Sequence, residues 1–385
     1  MSKPKILHVI TGLGRGGAEA MLAKIIGMSD AYLHSVLSLT SKGEIGPLIE
    51  AQGNEVSCLN LERPGHLLAA GYRLPVMVRQ AKPDLIQGWL NHGNLAAMIG
   101  ARLSGLNVPV AWNVRQSLLG MRFEKWQTRC VMRMNARLSA RTAAILYNSH
   151  SGRRDHEAMG FAAHKGMIVP NGFDLNEFFP SHERRVAFRA SVGISPDQIL
   201  IGLVARFDQW KNHATFFEAA CRVLDHEPGA RFLFAGSGML LDNAELRALI
   251  RDPRLLEASL FLGTRSDMPA LTASLDIACN VSHGEGFPNA IGEAMASSVP
   301  CIVVPSGDMP AIVADTGIVA ETATAEDIAA GIRILIARGP CGRAELGNAA
   351  RDRVGTHFSL AAIVARYEAI YDMLLLPRKS GGHDC

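Results

Sequence analysis

The chain has 385 residues, 48% of them apolar and 19% charged, which is long for one hydrophobic core and comfortable for two. A formal net charge of +3 argues against nucleic acid as a partner. The seven cysteines are scattered with no C-x-x-C or Cys/His cluster, which argues against a zinc or disulfide scaffold and suits buried thiols in a reducing compartment.

The first segment, "MSKPKILHVITG", sets two lysines before an apolar run too short for a secretory signal, so it reads as a first strand. Alternation follows. "KILHVI" precedes the helical "GAEAMLAKIIGM", "HSVLSLT" precedes "EIGPLIEAQ", and "DLIQGWL" precedes "NLAAMIGARLSG"; "VPVAWNV", "AAILYNS" and "KGMIVPNG" come after. Residues 171–198 hold Asn171-Gly172, Pro180, a charged run and Pro196, and read as a linker region. A second alternation runs from "ILIGLVARF" through "RFLFAGSG", "SLFLGT", "LDIACNVS" and "PCIVVPS". A last helical pattern at 359–375 precedes the polar tail "KSGGHDC", which is expected to be disordered. The predicted class is α/β, with two Rossmann-like doubly wound domains facing a central cleft. The first covers 1–175, with the helix at 359–375 packing back on it, and the second covers 176–358. Ligands bind such sheets outside the carboxyl ends of the strands, so the loops there carry the candidates.

The loop "TGLGRGGAE" after the first strand spells G-x-G-x-x-G with Gly12, Gly14 and Gly17. A dinucleotide site needs an acid roughly 20 positions on. Thr40, Ser41 and Lys42 stand there instead, and the next acid is Glu44. The glycines still let backbone approach a ligand and aim helix N–H groups at an anion, a bare strand-to-helix turn being the alternative. In "GLVARFDQWKNH", Arg206 ends a strand and Lys211 follows before an amphipathic helix. Two cations there suit a diphosphate, or else are solvated surface charges. In "SHGEGFPNAIGEAMASSVP", Glu285 lies in a loop between Gly284 and Gly286, Pro288 fits the first turn of a helix, and Glu293 falls about one turn into it. The helix start can hold phosphate and the two carboxylates can accept from sugar and ribose hydroxyls.

These strings resemble the retaining glycosyltransferases of the GT-B fold that carry the E-x7-E motif, glycosyl transferases group 1. "EGFPNAIGEAMA" looks like that signature, "VARFDQWKN" like the family's Arg…Lys diphosphate clamp, "IVPNGFDLNEF" like its interdomain connection and "GLGRGGAE" like its first glycine loop. The resemblance implies that Arg206 and Lys211 hold the donor diphosphate, that Glu293 binds ribose, and that Glu285 with the backbone of Gly286, Phe287, Pro288 and Asn289 binds the transferred sugar. It implies that Thr264 and Arg265 meet the base, largely through backbone, and that Gly14, Gly16 and Gly17 let donor phosphate and acceptor approach the first domain. Many relatives carry a histidine after the strand matching "VPVAWNVRQS"; here Asn113 and Arg115 occupy that stretch on the acceptor side. Arg115 stays protonated, so it can bind an anion but cannot act as a base. His92, in "WLNHGN", is the candidate to reach the reacting sugar, or else caps or packs the next helix.

In "MRFEKWQTRCVMRMNARLSART", the cations Arg122, Lys125, Arg129, Arg133, Arg137 and Arg141 recur every three or four residues, with Phe123, Trp126, Val131, Met132 and Met134 between them. A helix so patterned can adhere to an anionic membrane surface, or present an ordinary solvated face. No apolar stretch is long enough to span a bilayer. The expected protein is therefore a cytoplasmic retaining glycosyltransferase of hexosyltransferase type, peripheral on the inner membrane face, in polysaccharide, lipopolysaccharide or glycolipid synthesis. Its partners would be a nucleotide-sugar donor and a saccharide or lipid-linked acceptor. No Asp-x-Asp occurs, so no metal and no cofactor beyond the donor are expected. The rivals are a nucleotide-sugar epimerase of the same fold, a nicotinamide-dependent dehydrogenase and a non-catalytic nucleotide-binding module.

Overall fold

The computed structural model describes residues 3–63, 66–116, 118 and 125–376. Arg122 and Phe123 of the basic segment and the tail 379–385 lie outside them. The described chain divides into two compact units, one built from residues up to Pro170 together with those from Ala361 onward, the other from Asn171–Leu360.

The first unit holds β1 (Lys5–Ile10), β2 (Leu33–Ser38), β3 (Glu55–Cys58), β4 (Leu85–Trp89), β5 (Val110–Val114), β6 (Ala144–Tyr147) and β7 (Gly166–Ile168). They pair in the order β3-β2-β1-β4-β5-β6-β7, all parallel. Helices cover both faces, so the inner strands read as continuous apolar runs rather than alternating ones; β4 and β5 are buried throughout. The chain reverses direction at β1, so the loops leaving β1 and β4 depart side by side, with Ile10 opposite Trp89. The helix after β4, Leu90–Ser104, starts against β1 itself: a Cβ on Gly93 would lie 2.6 Å from the Val9 carbonyl oxygen. Leu90 enters that helix with φ of 62°, a left-handed conformation that costs a branched side chain energy and is held by the packing around it.

The second unit repeats the plan with β8 (Leu200–Val204), β9 (Arg231–Ala235), β10 (Ser259–Phe261), β11 (Ile277–Asn280), β12 (Cys301–Val303) and β13 (Ile318–Val319), in the parallel order β10-β9-β8-β11-β12-β13. Here the reversal falls between β8 and β11, with Leu203 opposite Cys279. Phe232 and Phe234 of β9 and Phe216 and Phe217 of the helix His213–Leu224 are fully or almost fully buried and meet edge to face.

One feature departs from the sequence reading. Residues 171–198 are not a linker: they contain the helix His182–Ser191, and Phe173, Phe178 and Phe188 are buried in the second unit's core. Proline and glycine punctuation masked three spaced aromatic anchors. The last helix, Leu360–Leu375, belongs to the first unit through named polar contacts. Ser29 Oγ donates to Glu368 Oε1 at 2.7 Å, Tyr32 OH to Asp372 Oδ1 at 2.5 Å, and Tyr371 OH to Gln87 Oε1.

Candidate active site

In the second unit, the loops after β8 and β11 meet. After β8, Asp208 Oδ1 accepts from the Trp210 N–H at 2.9 Å and starts the 3-10 turn Gln209–Lys211. Asn212, with φ of 58°, turns the chain into the helix His213–Leu224. The buried His213 donates from Nε2 to the Arg206 carbonyl at 3.0 Å, and its ring stacks on Phe207. Burial lowers its pKa, so the ring is neutral, with its single proton on the donating nitrogen. His213 therefore pins the backbone from which Arg206 projects. The Arg206 side chain is 67% exposed and lies 3.1 Å from Asp208 Oδ2.

Lys211 is turned inward. Its Nζ lies 2.5 Å from Glu285 Oε1, and both side chains are largely buried, at 19% and 14% exposed. The same carboxylate oxygen accepts from Ser282 Oγ at 2.8 Å and faces Asn280 Nδ2 at 3.4 Å. Asn280 ends β11 and Ser282 follows it, both buried. The two loops are further joined by the His283 N–H donating to the Trp210 carbonyl. The arrangement is a cation and an anion on adjacent loops at the switch point of a parallel sheet, where such folds bind ligands.

The helix Asn289–Ala296 begins immediately after Pro288, and no side chain caps its first N–H groups. Asn289 Oδ1 accepts from Asn171 Nδ2, and Gly292 is packed so tightly that a Cβ would lie 2.0 Å from the Phe173 ring. Phe287 is buried against Phe173 and Phe358, so only its backbone is available to a ligand. Glu293 is half-buried and lines a pocket with Val204, Met268, Thr272 and Ala290. Thr264 is exposed, whereas Arg265 is clamped by Asp267 through Nε at 2.8 Å and an Nη at 2.5 Å, and its guanidinium lies over Phe188. The salt bridge holds the Asp267 carboxyl below its ordinary range. Gly236, unremarked in the sequence, has φ of 145°, and a Cβ there would lie 2.2 Å from the Ala205 carbonyl oxygen. It lets the loop after β9 press against the loop that carries Arg206.

In the first unit, Gly14 and Gly17 are exposed after β1, with nothing within 4 Å of a Cβ on Gly14. Gly16 precedes the helix Gly17–Met28, and the Glu19 carboxylate curls back over it. Burial raises the Glu19 pKa. Glu44, the next acid after β2, is taken by Arg15. His92 is half-buried in the first turn of Leu90–Ser104. Asn113 and Arg115 both turn to the last helix: Asn113 Nδ2 donates to Tyr367 OH at 2.7 Å, and Arg115 Nη1 donates to the same oxygen at 2.8 Å while its guanidinium lies over Trp89. Both are buried. The basic helix Trp126–Leu138 exposes Trp126, Cys130, Arg133, Met134 and Arg137 on one face, and Arg141 follows, also exposed. Arg129 is half-buried, with its Nε buried and without a hydrogen-bond partner.

Among the described residues, no group of three or more His, Cys, Asp and Glu gathers in a way that could hold a metal ion, and no helix is long and apolar enough to cross a membrane.

A family model described as Glycosyl transferases group 1 matches residues 198–338, and another described as Glycosyltransferase Family 4 matches 15–177. EpsF of Bacillus subtilis (strain 168), to which glycosyltransferase activity is ascribed, is 30% identical over 323 residues, 78% of this chain and 79% of that one. The UDP-Gal:alpha-D-GlcNAc-diphosphoundecaprenol alpha-1,3-galactosyltransferase of Escherichia coli is 25% identical over 234 residues, 59% of each chain. HepE of Anabaena, crystallised in complex with UDP and glucose, shares the fold with a TM-score of 0.81, at 20% identity over 96% of this chain and 100% of that one.

Proposed function

The chain belongs to the glycosyl transferases group 1 family and has the GT-B fold, and on that premise we propose that it moves a sugar from a nucleoside diphosphate donor to an acceptor hydroxyl with retained anomeric configuration. The observation that carries the reading is the 2.5 Å contact of Lys211 with Glu285. It brings to one point a cation suited to a diphosphate and a carboxylate suited to sugar hydroxyls.

In this reading Arg206 and Lys211 neutralise the departing diphosphate, and the uncapped N–H groups at Asn289 add partial positive charge. Glu293 takes ribose hydroxyls from its pocket. Glu285 and the backbone of Gly286–Asn289 hold the transferred sugar. The base meets the backbone at Thr264 and Arg265, whose side-chain guanidinium is already occupied by Asp267. The bond from the anomeric carbon to the diphosphate oxygen breaks, the acceptor oxygen bonds to that carbon from the same face, and its proton passes to the leaving oxygen. Gly14, Gly16 and Gly17 give backbone access in the first unit, and His92 serves the acceptor side there. The cations do the work for which a metal bridge would otherwise be needed. A dehydrogenase is disfavoured because no carboxylate follows β2 in the ribose-binding position and Glu44 is paired with Arg15.

The E. coli relative is named for a diphosphoundecaprenol-linked acceptor. That name, with the exposed basic face around Arg133 and Arg137, supports a saccharide or lipid-linked acceptor met at an anionic membrane surface, in polysaccharide or glycolipid synthesis.

The test is calorimetric binding of UDP, GDP, ADP and dTDP. At least one should bind the wild type, and Lys211→Ala and Arg206→Ala should each weaken it by about tenfold or more, as expected for a lost charge-assisted hydrogen bond. Wild-type affinity in both variants would mean that the donor site lies elsewhere.

A further inference from the structure

Glu285 Oε1 has three donors around it: Lys211 Nζ at 2.5 Å, Ser282 Oγ at 2.8 Å and Asn280 Nδ2 at 3.4 Å. In a donor complex the diphosphate has a stronger claim on Lys211 than Glu285 has, because it carries more charge than one carboxylate. Without some other partner, a carboxylate only 14% exposed could not release its cation cheaply. Ser282 and Asn280 are that partner. Both are buried, and Asn280 Oδ1 accepts from the Ser282 N–H at 3.0 Å, which fixes the pair relative to each other.

Resting on the donor-site reading above, we propose that Lys211 exchanges partners during the reaction cycle, and that Ser282 and Asn280 are the positioning residues that make the exchange possible. Without nucleotide, Lys211 is neutralised by Glu285. When a nucleoside diphosphate arrives, Lys211 swings to its phosphates. The carboxylate stays where it is, held by Ser282 and Asn280, with its free capacity turned to the sugar. Glu285 therefore competes with the nucleotide for Lys211, and Ser282 weakens that competition by sharing the carboxylate oxygen.

A cycle of variants tests this by calorimetry with whichever of UDP, GDP, ADP and dTDP binds the wild type. Glu285→Gln should bind the nucleoside diphosphate about threefold to tenfold more tightly than wild type, because Lys211 is released. Ser282→Ala should bind it more weakly by a similar factor, because Glu285 then leans more heavily on Lys211, with only the longer 3.4 Å contact of Asn280 left to share the oxygen. Ser282→Thr, which keeps the hydroxyl, should restore wild-type affinity. The deciding variant is Ser282→Ala with Glu285→Gln. It should bind like Glu285→Gln alone, since no carboxylate remains to hold Lys211. A merely structural defect at Ser282 would weaken binding in both backgrounds and overturn the proposal. So would a Glu285→Gln protein that binds no more tightly than wild type. Failure of the underlying site reading looks different: Lys211→Met would then bind like wild type, or none of the four nucleotides would bind the wild type at all.

Discussion

His8 Nε2 lies 3.0 Å from His34 Nδ1, and the indole N–H of Trp89 reaches His8 on its other nitrogen at 3.1 Å. Indole can only donate, so His8 Nδ1 accepts and its proton sits on Nε2. That proton goes to His34 Nδ1, which leaves the His34 proton on Nε2, a buried atom without a partner. Both rings are neutral. Burial lowers both pKa values, that of His34 to about 4 from an ordinary 6.5, and the neighbouring ring lowers that of His8 further.

These values give the first unit a defined acid sensitivity. Unfolded histidines take up protons below about pH 6.5, whereas the folded pair resists them until about pH 4 for His34. Their contribution is thus fully present above pH 6.5 and is lost as the pH falls through this window. For His34 it is on the order of 3 kcal/mol. Thermal unfolding followed from pH 8 to pH 4 should show the loss, and His34→Gln should flatten it. An unchanged slope in that variant would place the sensitivity elsewhere.

Tyr367→Phe should loosen the last helix from the first unit. The hydroxyl accepts from both Asn113 and Arg115, and its removal takes one acceptor from each buried donor, Arg115 Nη1 keeping Asn113 Oδ1 at 3.3 Å. The expected cost is about 1–3 kcal/mol, read by urea denaturation. A smaller loss would mean that water replaces the hydroxyl.

Gly292→Ala is expected to impair nucleotide binding through packing alone. The new methyl would have to displace the Phe173 ring, which costs about 1–3 kcal/mol and moves the helix that carries Asn289 and Glu293. Calorimetry on the folded variant should show weaker nucleoside diphosphate binding, and unaltered affinity would separate that helix start from the ligand.

The two carboxylates should fail differently. Glu293→Gln is expected to weaken nucleotide binding, because its pocket lies beside the end of β8. Glu285→Gln is expected to slow sugar transfer. Matching kinetic defects with nucleotide affinity intact in both would reject this division.

The alternation of strands and helices was plain in the sequence because both faces of each sheet are covered, which leaves apolar runs between helical patterns. Lys211 and Glu285 were also legible, since each stands in the loop that follows a strand. Their partners Ser282 and Asn280 were not, because short polar residues at a strand end look alike whether or not a carboxylate lies above them. His213 was equally silent: its contact with the Arg206 carbonyl depends on a left-handed Asn212 that no periodicity announces. The pairing of Arg115 with Tyr367 spans 252 positions and leaves no local trace. Sequence reading placed Arg115 towards an acceptor; in the structure it contacts Asn113, Tyr367 and Trp89.

The basic helix gives the membrane reading a sharper test than the sequence allowed. Arg129 is half-buried, so among the described residues the surface charge rests on Lys125 and on Arg133, Arg137 and Arg141, beside Trp126, which is 65% exposed. Each exposed cation near an anionic lipid surface contributes about 1 kcal/mol. Wild type should pellet with vesicles containing anionic phospholipid at low salt and be released at high salt. Changing these three arginines to glutamate should abolish pelleting with the fold intact. A wild type that stays in the supernatant at low salt would make the stripe an ordinary solvated face.

The return of the Leu360–Leu375 helix to the first unit sets an order of events during synthesis. The second unit, Asn171–Leu360, is continuous in the chain and can close as soon as it leaves the ribosome. The first unit emerges earlier but must wait for Tyr367, Glu368, Tyr371 and Asp372 before Asn113, Ser29, Gln87 and Tyr32 find their partners. At elongation rates of about 5–20 residues per second, that delay is roughly 10–40 s. A nascent chain halted before Tyr367 therefore holds a first unit in which Asn113, Gln87 and Tyr32 have not yet met their partners on the last helix.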